Sequence, residues 1–277
     1  MSLILNDIES KALIIARRHG FNDAIVEHHH MLMDVYASTP SYFKTLFKSN
    51  RFILGIVLLS IYSTQEHATI DQVKEYCEKL NIFSKNSINS FILFLRVSGR
   101  IQTVKDENDK RKLLFTPTEK ALIETKRLIR TMVSPIQKMN EKIIVEEIID
   151  KDDFVFLFFK HYSEVVFNDV FLHILVPESK CFIMRDAGHV IITHIMTNCL
   201  KLDKNRLQLN LFDSAKQCGV SRSHLRRSLV DAEGQGLLDF KSISGEVIIN
   251  QEFHDIANRY MSLYFSAIEY SIEKMII

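Results

Sequence analysis

The chain has 277 residues and a formal net charge of only +1. One or two domains with a sizeable core are expected, and any nucleic-acid surface must be local rather than a basic tail. Only 8 Gly and 4 Pro interrupt long apolar-periodic runs, which points to mostly helix.

The 4 cysteines (Cys77, Cys181, Cys199 and Cys218) lack paired metal-ligand spacing and read as core or surface thiols of a reducing cytosol. Asp7, Glu9 and Lys11 fall within the first dozen residues, a pattern unlike a signal peptide. The most apolar windows, 52–62 and 154–159, are too short to span a bilayer. A soluble, cytoplasmic protein is the expectation.

In chain order, residues 3–18 form an amphipathic helix. His28-His29-His30 follows. Adjacent helical positions point in different directions, so three such rings cannot all reach one ion, and a helix end or loop is preferred to a metal site. Ser38-Thr39-Pro40-Ser41 breaks the chain and starts a helix, with Pro40 suited to the first turn. Residues 51–62 read as a buried helix, and Thr69 with Gln72 as a capping box opening a helix over 69–80. Ser84 caps a further helix that Gly99 ends. With Ile88, Ile92 and Leu95 inward, Asn86, Asn89, Ser90 and Leu93 point outward. Ile101–Lys105 and 112–116 are strands joined by the polar loop 106–111, and Thr118 opens a helix to about Arg130.

Ser134-Pro135 is a break. The acidic stretch 146–153 is either a linker or an exposed helix face. The Phe-rich stretch 154–171 predicts a helix that is buried core or lines an effector pocket. Within it, His161 and Glu164 stand three apart, a spacing that binds metal in some bundles, but one copy without partners favours an ordinary pair. A helix is predicted over 185–200, with His189 and His194 as core or interface histidines.

The most informative stretch is 207–250. Leu207, Leu209 and Leu211 alternate as a short strand, and Asp213 N-caps a short helix ending near Cys218. Gly219 takes the left-handed turn and Ser221 caps the next helix. Leu225, Leu229 and Ala232 form its inner face. Gly234 and Gly236 end it, and strands 237–241 and 246–250 follow, joined through Ser244-Gly245. From Lys216 to Arg227 the charged residues are Lys216, Arg222, Arg226 and Arg227, with His224 among them and no acid. A closing helix over 252–274 carries Ile256, Tyr260, Leu263, Tyr264 and Ile268, a stripe for packing or dimerisation.

Strand, helix, turn, helix and hairpin in this order resemble a winged helix-turn-helix. Ala215, Gly219, Val220, Ser221, Arg222, Leu225, Leu229, Gly236, Leu237, Leu238 and Gly245 carry the resemblance. It implies that 221–235 is a recognition helix and 241–246 a wing, with the start of that helix meeting base edges in the major groove. Residues 84–130 resemble a second such module, with a wing similar to those of the MarR-like regulators on Gly99, Ile101, Asp106, Asp109, Lys110, Arg111, Thr116, Thr118, Glu119 and Ala121. That likeness implies an aspartate–arginine pair steadying the loop, and Arg111 approaching the minor groove. Ser84 and Ser221 begin equivalent helices about 137 residues apart, so the chain looks duplicated.

The expected fold is mainly α with small β-hairpin wings: two winged helix-turn-helix modules joined by a helical segment. The corresponding divisions are 1–140, 141–184 and 185–277. No phosphate-binding glycine loop, nucleophile elbow or metalloprotease motif is present in the sequence, so neither an enzyme nor a cofactor is expected. The expected function is sequence-specific binding of double-stranded DNA as a transcriptional regulator, with a small-molecule effector left open. Expected contacts are Ser221, Arg222, Ser223, His224, Arg226, Arg227 and Lys241 in the second module, and Lys110, Arg111, Asn86, Asn89 and Ser90 in the first. One chain acts as a pseudo-dimer, or two as a homodimer. The alternative is a winged-helix protein-interaction scaffold.

Overall fold

The computed structural model describes residues 2–48, 50–202 and 205–276. Ser2 caps α1 (Leu3–Ile15), and α2 (Phe21–Ser38) and α3 (Pro40–Leu46) follow, the latter with Pro40 in its first turn. The apolar α4 (Arg51–Thr64) leads to α5 (Ile70–Lys79), which opens on a complete Thr69–Gln72 capping box. Ser84 caps α6 (Lys85–Val97) through the Ser87 N–H. Strands β1 (Ile101–Lys105) and β2 (Leu113–Pro117) form a hairpin, and Thr118 caps α7 (Glu119–Val133). After a 3-10 turn at Ser134–Lys138 come α8 (Val145–Ile149), α9 (Phe154–Phe167) and α10 (Leu172–Leu175). A second 3-10 turn at Pro177–Ser179 precedes α11 (Lys180–Ile183) and α12 (Gly188–Leu202). The chain finishes with β3 (Arg206–Gln208), α13 (Leu211–Gln217), α14 (Arg222–Glu233), β4 (Leu238–Lys241), β5 (Glu246–Ile249) and α15 (Gln251–Ile276).

The protein is mainly helical, and its described residues hold two small antiparallel sheets. In the first, Ile101 pairs with Pro117 and Lys105 with Leu113. In the second, the order is β3-β5-β4, with Arg206 opposite Ile248 and Leu238 opposite Ile249. Where the second sheet has its third strand, the first has only a single bridge from Thr69 to Leu114.

One continuous core runs through the molecule. Helix α15 lies at its centre, with α1 along one side and α9 along another, while α9 also packs on α4, and α2 packs on α12. Segments from both ends of the chain thus build the same interior. Phe154, Phe158 and Phe265 are fully buried there, each contributing about 2–3 kcal/mol through lost apolar surface. Arg18 and Asn140 both donate to the buried Glu269 carboxylate, at 2.7 and 2.8 Å, tying the N-terminal helices to α15. No described helix is long and apolar enough by itself to cross a membrane.

Several expectations need correction. The histidine triplet is not at a helix end or in a loop. It lies in the middle of α2, where His28 and His29 are buried because partners on other helices satisfy their ring nitrogens. The stripe of Tyr260, Leu263, Tyr264 and Ile268 is not a free surface for dimerisation, since all four are buried inside this chain. Asn210 rather than Asp213 caps α13, accepting the N–H groups of Phe212 and Asp213. The strand therefore stops at Gln208, and Leu211 is helical. The helix expected from Arg185 starts at Gly188, after Ala187 in the left-handed region at φ 54°. A Cβ on Gly188 would fall 1.9 Å from the Phe182 carbonyl oxygen, so this helix start requires glycine. The acidic stretch includes part of α8, whose Ile148 and Ile149 are buried while Glu146 and Glu147 face out. Helix α9 sits between α4 and α15, and its Phe158, Phe159 and Tyr162 are both core and cavity wall. Glu164 accepts from Tyr270 at 2.7 Å and Lys274 at 2.5 Å, so its partners lie on α15.

Candidate nucleic-acid interface

Helices α13 and α14 meet through Gly219, at φ +69°. The glycine has a second cause that local patterning does not show. A Cβ there would fall 2.4 Å from the Tyr36 ring, and the Tyr36 hydroxyl donates to the Gly219 carbonyl at 3.4 Å. The end of α2 therefore covers this turn. Ser221 Oγ accepts the His224 N–H at 3.1 Å, satisfying one free donor of the α14 N-terminus.

Helix α14 presents three faces. Leu225, Leu229 and Ala232 are buried in the core. His224 and Asp231, two turns apart, face the segment before α12: His224 Nε2–H donates to the Asp186 carbonyl at 3.0 Å, and Asp231 pairs with Arg185. The third face is open, with Ser223, Arg226 and Arg227 exposed and Arg222 on its flank. Both acids of this helix are turned away from that face, because Glu233 accepts the Phe240 N–H of β4 at 2.8 Å. Among the described residues, Lys216, Arg222, Arg226 and Arg227 make no ion pair. Arg226 Nη2 lies 3.4 Å from Ser242 Oγ in the hairpin turn, and Arg227 Nε donates to the Ser223 carbonyl at 3.4 Å. Open cations thus stand between a capped helix N-terminus and a hairpin.

Two expected contacts differ. His224 does not stand on the open face, since its ring is committed to Asp186. Lys241 is exposed, but Glu246 accepts from its ammonium at 2.6 Å and also pairs with Arg206 at 3.1 Å. The lysine hydrogen bond holds the Glu246 carboxyl below its usual range. This hairpin is consequently far less positive than its lysine suggested.

In the first half, α6 leaves Asn86, Asn89 and Ser90 exposed. Arg51 Nη2 lies 3.5 Å from Ser90 Oγ. Leu93 and Val97 continue the same face at 56% and 81% exposure, large values for aliphatic side chains with no partner. The loop between β1 and β2 is ordered by its own carboxylates. Asp106 Oδ1 accepts the N–H groups of Asn108 and Asp109, each at 2.8 Å, and Asp109 Oδ1 accepts the Arg111 N–H at 3.1 Å. The Asp109 and Asn108 bonds hold the Asp106 carboxyl below its ordinary value. The expected aspartate–arginine link is therefore a carboxylate-to-backbone bond, and the Arg111 side chain makes no ion pair among the described residues. Lys110 and Arg111 are exposed, as are Lys105 and Lys112 at the strand ends. Sequence reasoning assigned no role to the last two because it counted them as strand, although the run KDENDKRK carried the signal.

The four cysteines are free and buried, and the described residues hold no group of three or more metal-ligating side chains. No family model matches the chain, and no curated protein matches it in sequence.

Proposed function

We propose that this protein is a sequence-specific DNA-binding regulator built on two winged helix-turn-helix modules, formed by α5–α6–β1–β2 and β3–α13–α14–β4–β5. The observation that carries the reading is the open face of α14: three arginines with no acid opposing them, at the N-terminal half of a Ser-capped helix beside a hairpin. Such a helix fits the major groove, where arginine reads guanine in a bidentate manner. In the first module, Lys110 and Arg111 are exposed at the hairpin tip beyond the backbone-bonded Asp106 and Asp109, which suits backbone or minor-groove contact that positions without specifying. Function then lies in binding rather than in bond chemistry. A mobility-shift assay on genomic fragments with a salt series tests the proposal. Selective binding with a steep salt slope supports it, and no binding at low salt overturns it.

The second reading, a protein-interaction scaffold, is favoured at one place. The outer face of α6 continues from Asn86 and Asn89 into Leu93 and Val97, and its one arginine, Arg96, stands in the last turn rather than at the N-terminal half as in α14. Such a face suits a protein surface better than phosphates.

A further inference from the structure

Between the two halves lies a two-chambered cavity. The larger chamber measures about 160 Å³ and the smaller about 70 Å³. Phe52, Ile56, Leu128, Met132, Tyr162 and Tyr264 line both, so the chambers adjoin. Asn50, Ile53, Leu172 and Arg185 form half-buried lining of the larger one, and Leu46, Phe158, Phe159 and Ile268 close the smaller one.

The polar atoms in the larger chamber form a defined set. The Thr131 carbonyl can only accept, so His28 Nδ1 carries a proton and donates to it at 2.7 Å. Being neutral, His28 then accepts at Nε2, where His189 Nε2–H donates at 2.8 Å. That leaves His189 Nδ1 to accept from the Tyr260 hydroxyl at 2.7 Å. The neutrality has a cause: burial lowers the His28 pKa to about 4 and holds His189 well below its ordinary value. The Tyr260 proton is thus spent on His189, and its oxygen keeps a free lone pair. Tyr162 and Tyr264 differ. Neither hydroxyl has a hydrogen-bond partner among the described residues, although Tyr264 is only 9% exposed. All three tyrosines line the larger chamber, where burial first, and then the neighbouring tyrosines, raise the Tyr264 hydroxyl well above its ordinary value. Two hydroxyl donors and one acceptor lone pair without a protein partner among the described residues therefore share an apolar chamber.

We propose that this cavity binds a small uncharged amphiphile, a flexible medium-chain alcohol, with its hydroxyl among Tyr162, Tyr260 and Tyr264 and its chain reaching into the smaller chamber. A dry cavity of about 150 Å³ holds one benzene ring. The larger chamber matches that size, and the adjoining one adds room for a chain of about eight carbons rather than a second fused ring. The head group must both donate and accept, which an alcohol does and a ketone does not. It must also be uncharged. His28 and His189 are neutral, burial lowers His173 as well, Arg185 is paired with Asp231, and Glu124 beside the smaller chamber is paired with Arg100. Among the described residues a carboxylate would find no free cation in the lining and would bear its full desolvation cost. The site also adjoins α14. Met184, Arg185 and Ala187 line the larger chamber, while Arg185 and the Asp186 carbonyl hold α14 at Asp231 and His224. Filling the cavity therefore bears on the helix assigned to DNA, a consequence that rests on the DNA-binding reading where the site itself does not.

The test uses the full chain with 1-octanol and octanoate as probes, at neutral pH and without DNA. The chain has 8 Tyr and no Trp, so tyrosine fluorescence reports directly. A saturable fluorescence change and a rise in Tm with 1-octanol are expected, with octanoate at least ten-fold weaker. Tyr162→Phe/Tyr264→Phe keeps the cavity shape and should weaken 1-octanol about ten-fold. Should that variant fail to fold, each single change should weaken it by a smaller factor. Unsaturable destabilisation, equal binding of octanoate, or unaltered affinity in the folded hydroxyl variants overturns the proposal. A mobility shift with and without 1-octanol separates the two readings: a chain that binds no DNA in either condition loses the DNA reading, while saturable 1-octanol binding still stands.

Discussion

Residues 70–117 and 211–249 each run helix, helix, strand, strand, only the second set adding a third strand to its sheet, and the two put their charge in different places. Helix α14 leaves three arginines free while Glu246 neutralises much of its hairpin. Helix α6 leaves amides, aliphatic side chains and Arg96 exposed, while its hairpin exposes Lys105, Lys110, Arg111 and Lys112 beside the acids Asp106, Glu107 and Asp109. Base readout needs directed donors on a helix in the groove, whereas backbone attachment needs only nearby cations. Under the proposed DNA-binding reading, the two segments would divide these tasks, α14 specifying and the first hairpin holding. The interiors differ as well. Arg100, one residue past Gly99, is 5% exposed and makes a bidentate pair with Glu124 at 2.8 and 2.7 Å, under the Tyr42 ring at 3.7 Å. One residue past Gly236 stands Leu237, buried and apolar.

The seam between the halves gives the largest expected effect. Burial lowers His28 to about 4, His29 to about 3 and His194 to about 4, with neighbouring histidine charge as a further cause for His29. Below pH 6.5 the unfolded chain takes up protons at these sites and the folded one does not. Stability is therefore full above pH 6.5 and falls as pH drops toward 4, by about 1 kcal/mol per pH unit for each histidine. Urea titrations at a series of pH values should show a loss of several kcal/mol across that window. In His29→Asn the slope should shrink by about one proton. A flat profile would remove the buried histidines from the seam.

The asymmetry of the interiors comes next. Glu124→Ala leaves the Arg100 guanidinium buried and unpaired, at a cost of about 3–5 kcal/mol. Replacing both residues with leucine should recover more than half of that, because desolvation offsets much of what such a pair contributes. Chemical denaturation of the two variants measures the difference. If Glu124→Ala is as stable as the parent chain, the contrast with Leu237 loses its meaning.

Arg226→Ala and Arg227→Ala probe the reading role proposed for α14. If either guanidinium pairs with a guanine edge, its removal should weaken specific binding by about 1–3 kcal/mol and relax preference at one base pair. Unchanged affinity in both single variants and in the double variant would transfer the function away from α14.

What the sequence made legible was local. Ser84, Thr118 and Ser221 cap the next helix through the N–H three residues on, and Gly99, Gly219 and Gly245 take positive φ in turns. Each such signal needs only a few neighbouring residues. Most of the differences come from distant partners. Nothing near His28 announces the Thr131 carbonyl or His189, and nothing near His224 announces Asp186. The cap of α13 is a local exception: Asn210 and Asp213 are both capping residue types, and the helix begins one turn earlier than the leucine alternation predicts. The open arginines were legible because their exposure follows from Leu225 and Leu229 alone. The pairing of Lys241 with Glu246 required the register of the hairpin.

The smallest expected effect concerns the first hairpin. The loop is held by Asp106 and Asp109 bonding to backbone N–H groups, so the Arg111 guanidinium is not needed to shape it. Arg111→Ala should therefore leave the fold and Tm essentially unaltered, since exposed substitutions cost less than about 0.5 kcal/mol. Any loss must then come from a phosphate or minor-groove contact. Affinity should fall for all sequences alike, and the slope of log K against log salt should shrink by about one. Asn86→Ala and Asn89→Ala are the counter-test. If the first module holds without reading, neither change alters the selected sequence. If either relaxes a base position while Arg111→Ala does nothing, α6 reads the groove and the division between the halves fails.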